Sequence, residues 1–199
     1  MIAIIDYGAG NLLSVKKAFD YLEIPSQIVA HADQLKTADK VVLPGVGAFG
    51  AAIKKLQTSG FYEILQDYLQ QNRPFLGICL GMHMLFERSA ENIGISGLQR
   101  FSGECLRFDQ GKVPQIGWNQ VEIKNHSEMF AGIPDQTYFY FVHGYYVQTG
   151  LNEIVAGRTD YNLNYVSAIE SGKIWAVQFH PEKSGANGLR LLKNWVQQC

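Results

Sequence analysis

Cys79 stands in the run Phe75-Leu76-Gly77-Ile78-Cys79-Leu80-Gly81-Met82, where an apolar stretch meets a sulfur with glycine two residues away on each side. The pattern predicts a nucleophile elbow, in which a buried strand turns sharply into a helix and pushes one side chain out at the carboxyl end of a sheet. Glycines on both sides let neighbouring backbone pass where a Cβ would collide. The thiol then meets a helix N-terminus, whose partial positive charge favours thiolate, and the Leu80 amide points into the same space as a donor for an oxyanion. The other two cysteines lack this frame. Cys105, between Glu104 and Leu106 in a strand-like run, reads as a small buried hydrophobe, and Cys199 is terminal.

A base for such a thiol stands near the other end, in Trp175-Ala176-Val177-Gln178-Phe179-His180-Pro181-Glu182. In an extended chain residues two apart face the same way, so His180 and Glu182 are expected to approach one region together. Pro181 excludes a helix there and is expected to keep the pair extended. An imidazole held by a carboxylate is the base-and-orienter half of a triad. Glu182 would fix the tautomer, while His180 would take the thiol proton and deliver it to a leaving group.

Gly45-Val46-Gly47-Ala48-Phe49-Gly50 is a literal G-x-G-x-x-G. A dinucleotide fingerprint also needs an acid about 20 residues on, at the end of the next strand. That distance lands at Asp67, inside an amphipathic helical stretch, so no nucleotide cofactor is expected. A glycine-rich turn can equally present backbone N–H groups to an oxyanion. The three cysteines are too scattered for a zinc site or a disulfide framework, so no metal is expected, and they fit a reducing cytoplasm.

The elements that must position these groups follow from periodicity. Ile2–Asp6, Gln27–Ala30, Val41–Leu43 and Phe75–Ile78 read as strands. Asn11–Leu22, Ala51–Leu56, Phe61–Leu69 and Leu80–Arg88 read as helices. Alternation of this kind implies a mostly parallel sheet with helices on both faces. The second half differs: Thr137–Val142, Ile154–Thr159, Tyr165–Ser171 and Ile174–Phe179 follow one another with turn signals such as Ser171-Gly172, which suggests antiparallel hairpins. A last helix covers about Gly188–Val196. One α/β domain over residues 1–199, with an antiparallel flank, is the expected architecture. The 199 residues are 47% hydrophobic and 18% charged, with 17 basic against 18 acidic side chains and a net charge of −1. That balance argues against nucleic acid as a main partner. No apolar run approaches the roughly 20 residues needed to cross a bilayer. The N-terminus meets Asp6 early and has no basic region, so it reads as a first strand rather than a signal peptide.

Gly77-Ile78-Cys79-Leu80-Gly81 together with His180-Pro181-Glu182 resembles the class I (triad) glutamine amidotransferase family. Asp6-Tyr7-Gly8-Ala9-Gly10-Asn11, Leu43-Pro44-Gly45-Val46-Gly47, Gly117-Trp118-Asn119, Tyr140-Phe141-Val142-His143 and His180–Ser184 extend the likeness from end to end. They are most similar to the branch that supplies ammonia for histidine biosynthesis. The resemblance implies a flavodoxin-like α/β fold, glutamine as substrate, and a (β/α)8-barrel cyclase as heterodimer partner. It also implies Cys79, His180 and Glu182 as catalytic residues, and Gly47 and Leu80 as oxyanion donors with Val46 as hinge. Substrate contacts would come from His83, His143, Gly144 and Tyr145. Asn11, Trp118, Asn119, Tyr140 and Lys183 would face the partner.

The chain departs from the family at three places. His83 replaces the usual glutamine four residues after the nucleophile, and imidazole can both donate and accept. Gly144 replaces serine or threonine, and Gln115 stands where histidine is preferred, at the expected partner surface. These departures leave open a paralogue that feeds nucleotide-sugar amidation in surface polysaccharide synthesis. A cysteine peptidase or esterase on a similar fold would share the triad but need no partner. A non-enzymatic interaction protein would have a Cys79 no more reactive than Cys105.

Overall fold

A computed structural model describes residues 1–124 and 127–199 of the chain. In chain order its first strands are β1 (Ile2–Ile5), β2 (Ser26–Val29), β3 (Lys40–Gly45), β4 (Phe75–Cys79), β5 (Phe86–Ser89) and β6 (Phe101–Arg107). Then come β7 (Gln115–Ile123), β8 (Thr137–His143), β9 (Tyr145–Gln148), β10 (Val155–Asp160), β11 (Asn164–Ser171) and β12 (Ile174–Val177). The helices are α1 (Leu12–Tyr21), α2 (Phe49–Thr58), α3 (Phe61–Gln70), α4 (Leu80–His83) and α5 (Gly185–Gln198). None of them is long and apolar enough to cross a membrane.

The main sheet runs β2-β1-β3-β4-β12-β11-β10-β7-β8. Its first five strands are parallel to one another, and β12 to β8 are joined by antiparallel pairs. The parallel part has the flavodoxin-like order, with the last strand of the chain in the fifth place. β1, β4 and β12 are buried at every position, as strands covered on both faces must be. Alternate residues serve two cores. Ala3, Ile5, Val41 and Leu43 pack with Phe49 and Ile53 of α2 and Leu65 of α3. Ile4, Val42, Leu76 and Ile78 pack with Phe19 of α1 and with Leu191, Leu192 and Trp195 of α5. The beginning of β3 is paired on both sides, but Pro44 lies beyond the last β1 partner, so its missing N–H costs no ladder bond there.

Two expectations need correction. Leu80–Arg88 is not one helix: α4 stops at His83, and Phe86 begins a strand paired with β6. Met82, Met84, Leu85 and Phe86 are all fully buried, so no exposed helical face exists. The Leu85 carbonyl already accepts the amides of Arg100 and Phe101. Ile174–Phe179 is not only a hairpin arm either: β12 ends at Val177, pairing antiparallel with β11 and parallel with β4.

Candidate active site

Three adjacent parallel strands deliver their next residues to one edge of the sheet. Gly45 is aligned with Cys79 across β3 and β4, and Val177 with Ile78 across β12 and β4. The glycine loop, the cysteine and His180 therefore leave the sheet side by side at its carboxyl end, where open α/β sheets bind ligands.

Cys79 adopts φ 54° and ψ −107°, a backbone conformation that side chains other than glycine rarely take. The glycines beside it make this turn possible. A Cβ on Gly81 would lie 1.9 Å from the Leu43 carbonyl oxygen, and one on Gly77 would lie 2.8 Å from the Gly81 oxygen. The elbow is packed backbone against backbone, as the spacing implied. The helix behind it is a single turn, so its dipole is small and the expected help to the thiolate from that source is weak. A charged imidazole is the stronger influence.

That imidazole is His180, buried with Glu182; their side chains are 4% and 1% exposed. His180 Nδ1–H donates to Glu182 Oε1 at 2.8 Å. Among the described residues Nε2 makes no well-aligned hydrogen bond. Burial alone would lower the imidazole, but Cys79 and Glu182 override it and raise it to about 10. The pair meets as expected, though by another route. Pro181–Lys183 is a 3-10 turn rather than an extended segment, and Glu182 reaches back to the ring from inside it. Tyr140 clamps the turn: its carbonyl accepts the His180 amide, and its own amide donates to Ser184 Oγ at 3.0 Å.

Cys79, Leu80, Val46, Gly47, His83, His143, Gly144 and Tyr145 line one cavity of about 360 Å³, near the small end of the roughly 300–1,000 Å³ usual for ligand pockets. Glu91, Pro114 and Val142 complete it. Sequence reasoning missed Glu91. Its Oε2 accepts the Phe49 amide at 2.7 Å, while Asn92 Oδ1 accepts the Gly50 amide at 2.7 Å, so together they cap α2 from forty residues away. The only local hint was that Ala48, the residue before α2, offers no capping side chain.

Burial lowers His143 to about 3, so its ring is neutral and carries one N–H. Nδ1–H must donate to the Tyr145 carbonyl, at 2.7 Å, which leaves Nε2 to accept from the Tyr165 hydroxyl, at 3.2 Å. The same hydroxyl proton is shared with Gln115 Oε1, which accepts from it at 3.0 Å. Gln115 is 3% exposed. Its expected place at the partner surface is therefore wrong: alternation along β7 turns it inward, opposite His143. Burial likewise lowers His83 to about 4, although its bond to Gln178 works in the other direction.

Of the other expected surface residues, Trp118 is 56% exposed and meets Tyr140 edge to face at 6.1 Å between centroids. Lys183 Nζ lies 5.8 Å from the Tyr140 ring. Asn119 is tied to its own strand and to the Asp160 carbonyl. Asn11 is exposed at the start of α1 and makes no side-chain hydrogen bond to that cluster among the described residues. Asp67, the acid a nucleotide fingerprint would have needed, lies exposed on α3.

A sequence profile described as "Glutamine amidotransferase class-I" matches residues 3–199. A protein of Chlorobaculum tepidum named imidazole glycerol phosphate synthase subunit HisH is 47% identical over 99% of this chain and 100% of its own length. One of the same name from Methanothermobacter thermautotrophicus is 47% identical over 99% of this chain and 98% of its own. A solved glutamine amidotransferase aligns with TM-score 0.79 at 17% identity, covering 100% of this chain and 98% of that one. A solved glutamine amidotransferase from Thermotoga maritima aligns with TM-score 0.66 at 22% identity, covering 98% of this chain and 80% of that one. At those identities the two structures speak for the fold.

Proposed function

Because the chain belongs to the class-I glutamine amidotransferase family, we propose that its residues 1–199 form one such domain and act as the glutaminase subunit of an imidazole glycerol phosphate synthase. It hydrolyses glutamine to glutamate and passes the ammonia to a synthase subunit, here a (β/α)8-barrel cyclase of histidine biosynthesis in the cytoplasm. The observation that carries the chemistry is the convergence of Cys79, the glycine loop and the buried His180–Glu182 pair on one edge of the sheet.

Cys79 Sγ, as thiolate, attacks the carboxamide carbon. The carbonyl oxygen becomes an oxyanion, held by the N–H groups of Leu80 and Gly47. The imidazolium of His180 gives its Nε2 proton to the nitrogen as the C–N bond breaks, which releases ammonia and leaves a glutamyl thioester. His180, now neutral, takes a proton from water; the hydroxide adds to the thioester, glutamate leaves, and the thiolate and imidazolium are restored. Glu182 keeps the imidazole in the tautomer that does this. His83, Glu91 and the His143-Gly144-Tyr145 segment face the amino and carboxylate groups of glutamine, and Glu91 is the one carboxylate among the described residues of the cavity wall. No cofactor enters the scheme. Ammonia in neutral water is mostly ammonium and unreactive, so it must be handed over directly. Asn11, Trp118, Asn119, Tyr140 and Lys183 form the docking face, in keeping with the weight of aromatic residues at interfaces.

The test is Cys79→Ala in the reconstituted complex. Synthesis from glutamine is expected to vanish while synthesis from added ammonium salts continues. Loss of both, with the complex still formed, refutes the division of labour.

A further inference from the structure

Gln178 is fully buried, two residues before His180, and has no part in the scheme above. Its carboxamide bridges two residues of the cavity wall. Oε1 lies 2.6 Å from His83 Nε2, and Nε2 lies 3.8 Å from Cys79 Sγ. We propose that Gln178 is a positioning residue for the nucleophile, its amide locked in one orientation by the His83 Nε2–H so that its own N–H faces Cys79 Sγ.

The orientation follows from counting protons. Gln178 Oε1 can only accept, so His83 Nε2 must carry a hydrogen. The neutral ring then has no other N–H, and Nδ1 remains an acceptor on a side chain that lines the cavity. With Oε1 taken, the NH₂ group is the end left for the sulfur. Reversing the amide would require the other His83 tautomer and would set the amide oxygen against the sulfur, which a thiolate repels. While it keeps its proton, the thiol has one other partner among the described residues, the Val142 carbonyl at 3.8 Å, toward which it donates. When the proton leaves for His180 that carbonyl becomes a repulsive neighbour, and the Gln178 N–H is the donor that holds the sulfur in place. A ligand that donates to His83 Nδ1 would polarise the ring and tighten the Nε2–H bond, so occupancy of the cavity is transmitted to the nucleophile through two side chains. Here His83, the departure from the family's glutamine, has a definite task.

This inference rests on the glutaminase reading, and the experiment separates the two. Gln178→Glu keeps an acceptor for His83 but turns a carboxylate oxygen toward the sulfur. Gln178→Met removes both contacts, and His83→Leu removes only the lock. Carbamidomethylation of Cys79 by iodoacetamide, a small neutral reagent, is followed beside kcat and KM for glutamine, with urea midpoints as the control for folding. Gln178→Glu is expected to slow alkylation and kcat at least tenfold while KM moves less than threefold. His83→Leu added to Gln178→Met is expected to slow alkylation no further, because His83 acts on the sulfur only through Gln178. If the folded Gln178→Glu protein alkylates and turns over within twofold of the parent, or if the double variant shows independent losses, the positioning role is overturned. If Cys79→Ala still hydrolyses glutamine, the glutaminase reading itself fails.

Discussion

Replacing Glu182 by glutamine isolates what the buried carboxylate does for His180. The side chain keeps its size and an acceptor for Nδ1–H, so the packing of the 3-10 turn is retained and only the charge is removed. Two routes give the magnitude. Unit charges 2.8 Å apart attract by about 6 kcal/mol at an effective dielectric constant near 20. Raising the imidazole from 6.5 to about 10 corresponds to about 5 kcal/mol, net of burial and shared between Cys79 and Glu182. Half of that is about 2–3 kcal/mol, or on the order of 10² in rate if it is expressed in the transition state. Glutamate release by the complex should therefore fall about a hundredfold in kcat/KM. The same pair leaves a trace in stability. A folded-state value above the unfolded one gives stability that is whole below about pH 6.5 and is lost as pH rises through about 10. The urea midpoint of the parent should fall over that window, and that of Glu182→Gln should fall less. A variant within threefold of the parent in kcat/KM, with an unchanged pH slope, would refute an electrostatic role for Glu182.

Gly81→Ala should cost at least the roughly 1–3 kcal/mol typical of overpacking, because the added carbon meets a backbone carbonyl at 1.9 Å, and urea unfolding will measure it. Trp118→Ala should weaken binding of the synthase partner by at least tenfold in titration calorimetry while leaving the alkylation rate of Cys79 in the free chain unchanged. Gln115→Leu leaves the Tyr165 hydroxyl short of a buried partner, which typically costs about 1–3 kcal/mol in a denaturant midpoint, and should raise KM for glutamine through the His143 wall. Two glycines flank Val46, so the Gly47 N–H is free to turn away at rest. Losing one oxyanion donor typically costs about 10²–10³ in rate, and the synthase with its acceptor substrate should raise glutamate release by that order over the free chain. Equal rates in the two would leave the loop a static donor.

What the sequence made legible was local. The glycine frame around Cys79 announced an elbow because the collisions it avoids are with residues a few positions away, or with the next strand. His180 and Glu182 were legible because they are neighbours in the chain, although their geometry was misjudged: proline excludes a helix but not a 3-10 turn. Gln115 was misplaced because its environment is set by the pairing of β7 with β8, and a nine-residue strand of mixed polarity, QIGWNQVEI, does not declare which side faces in. Glu91 and Gln178 were invisible for the same reason. Each acts on a group 42 or 99 residues away. The short α4 was misread because a run buried on every side carries no helical stripe.

The position of β12 beside β4 also has a meaning in time. Cys79 and the strand that carries its base to it are separated by about a hundred residues, which a ribosome adding roughly 5–20 residues per second takes some 5–20 s to make. Through that interval β4 has β3 on one side and nothing on the other, so the nascent chain carries an open, wholly apolar edge where β12 will later insert. The sulfur lacks the His180–Glu182 pair during this time and so has no base with which to turn over glutamine. β12 thus closes an apolar edge and arms the nucleophile in one event: a chain cut before Ile174 would be prone to aggregate and chemically silent for a single reason.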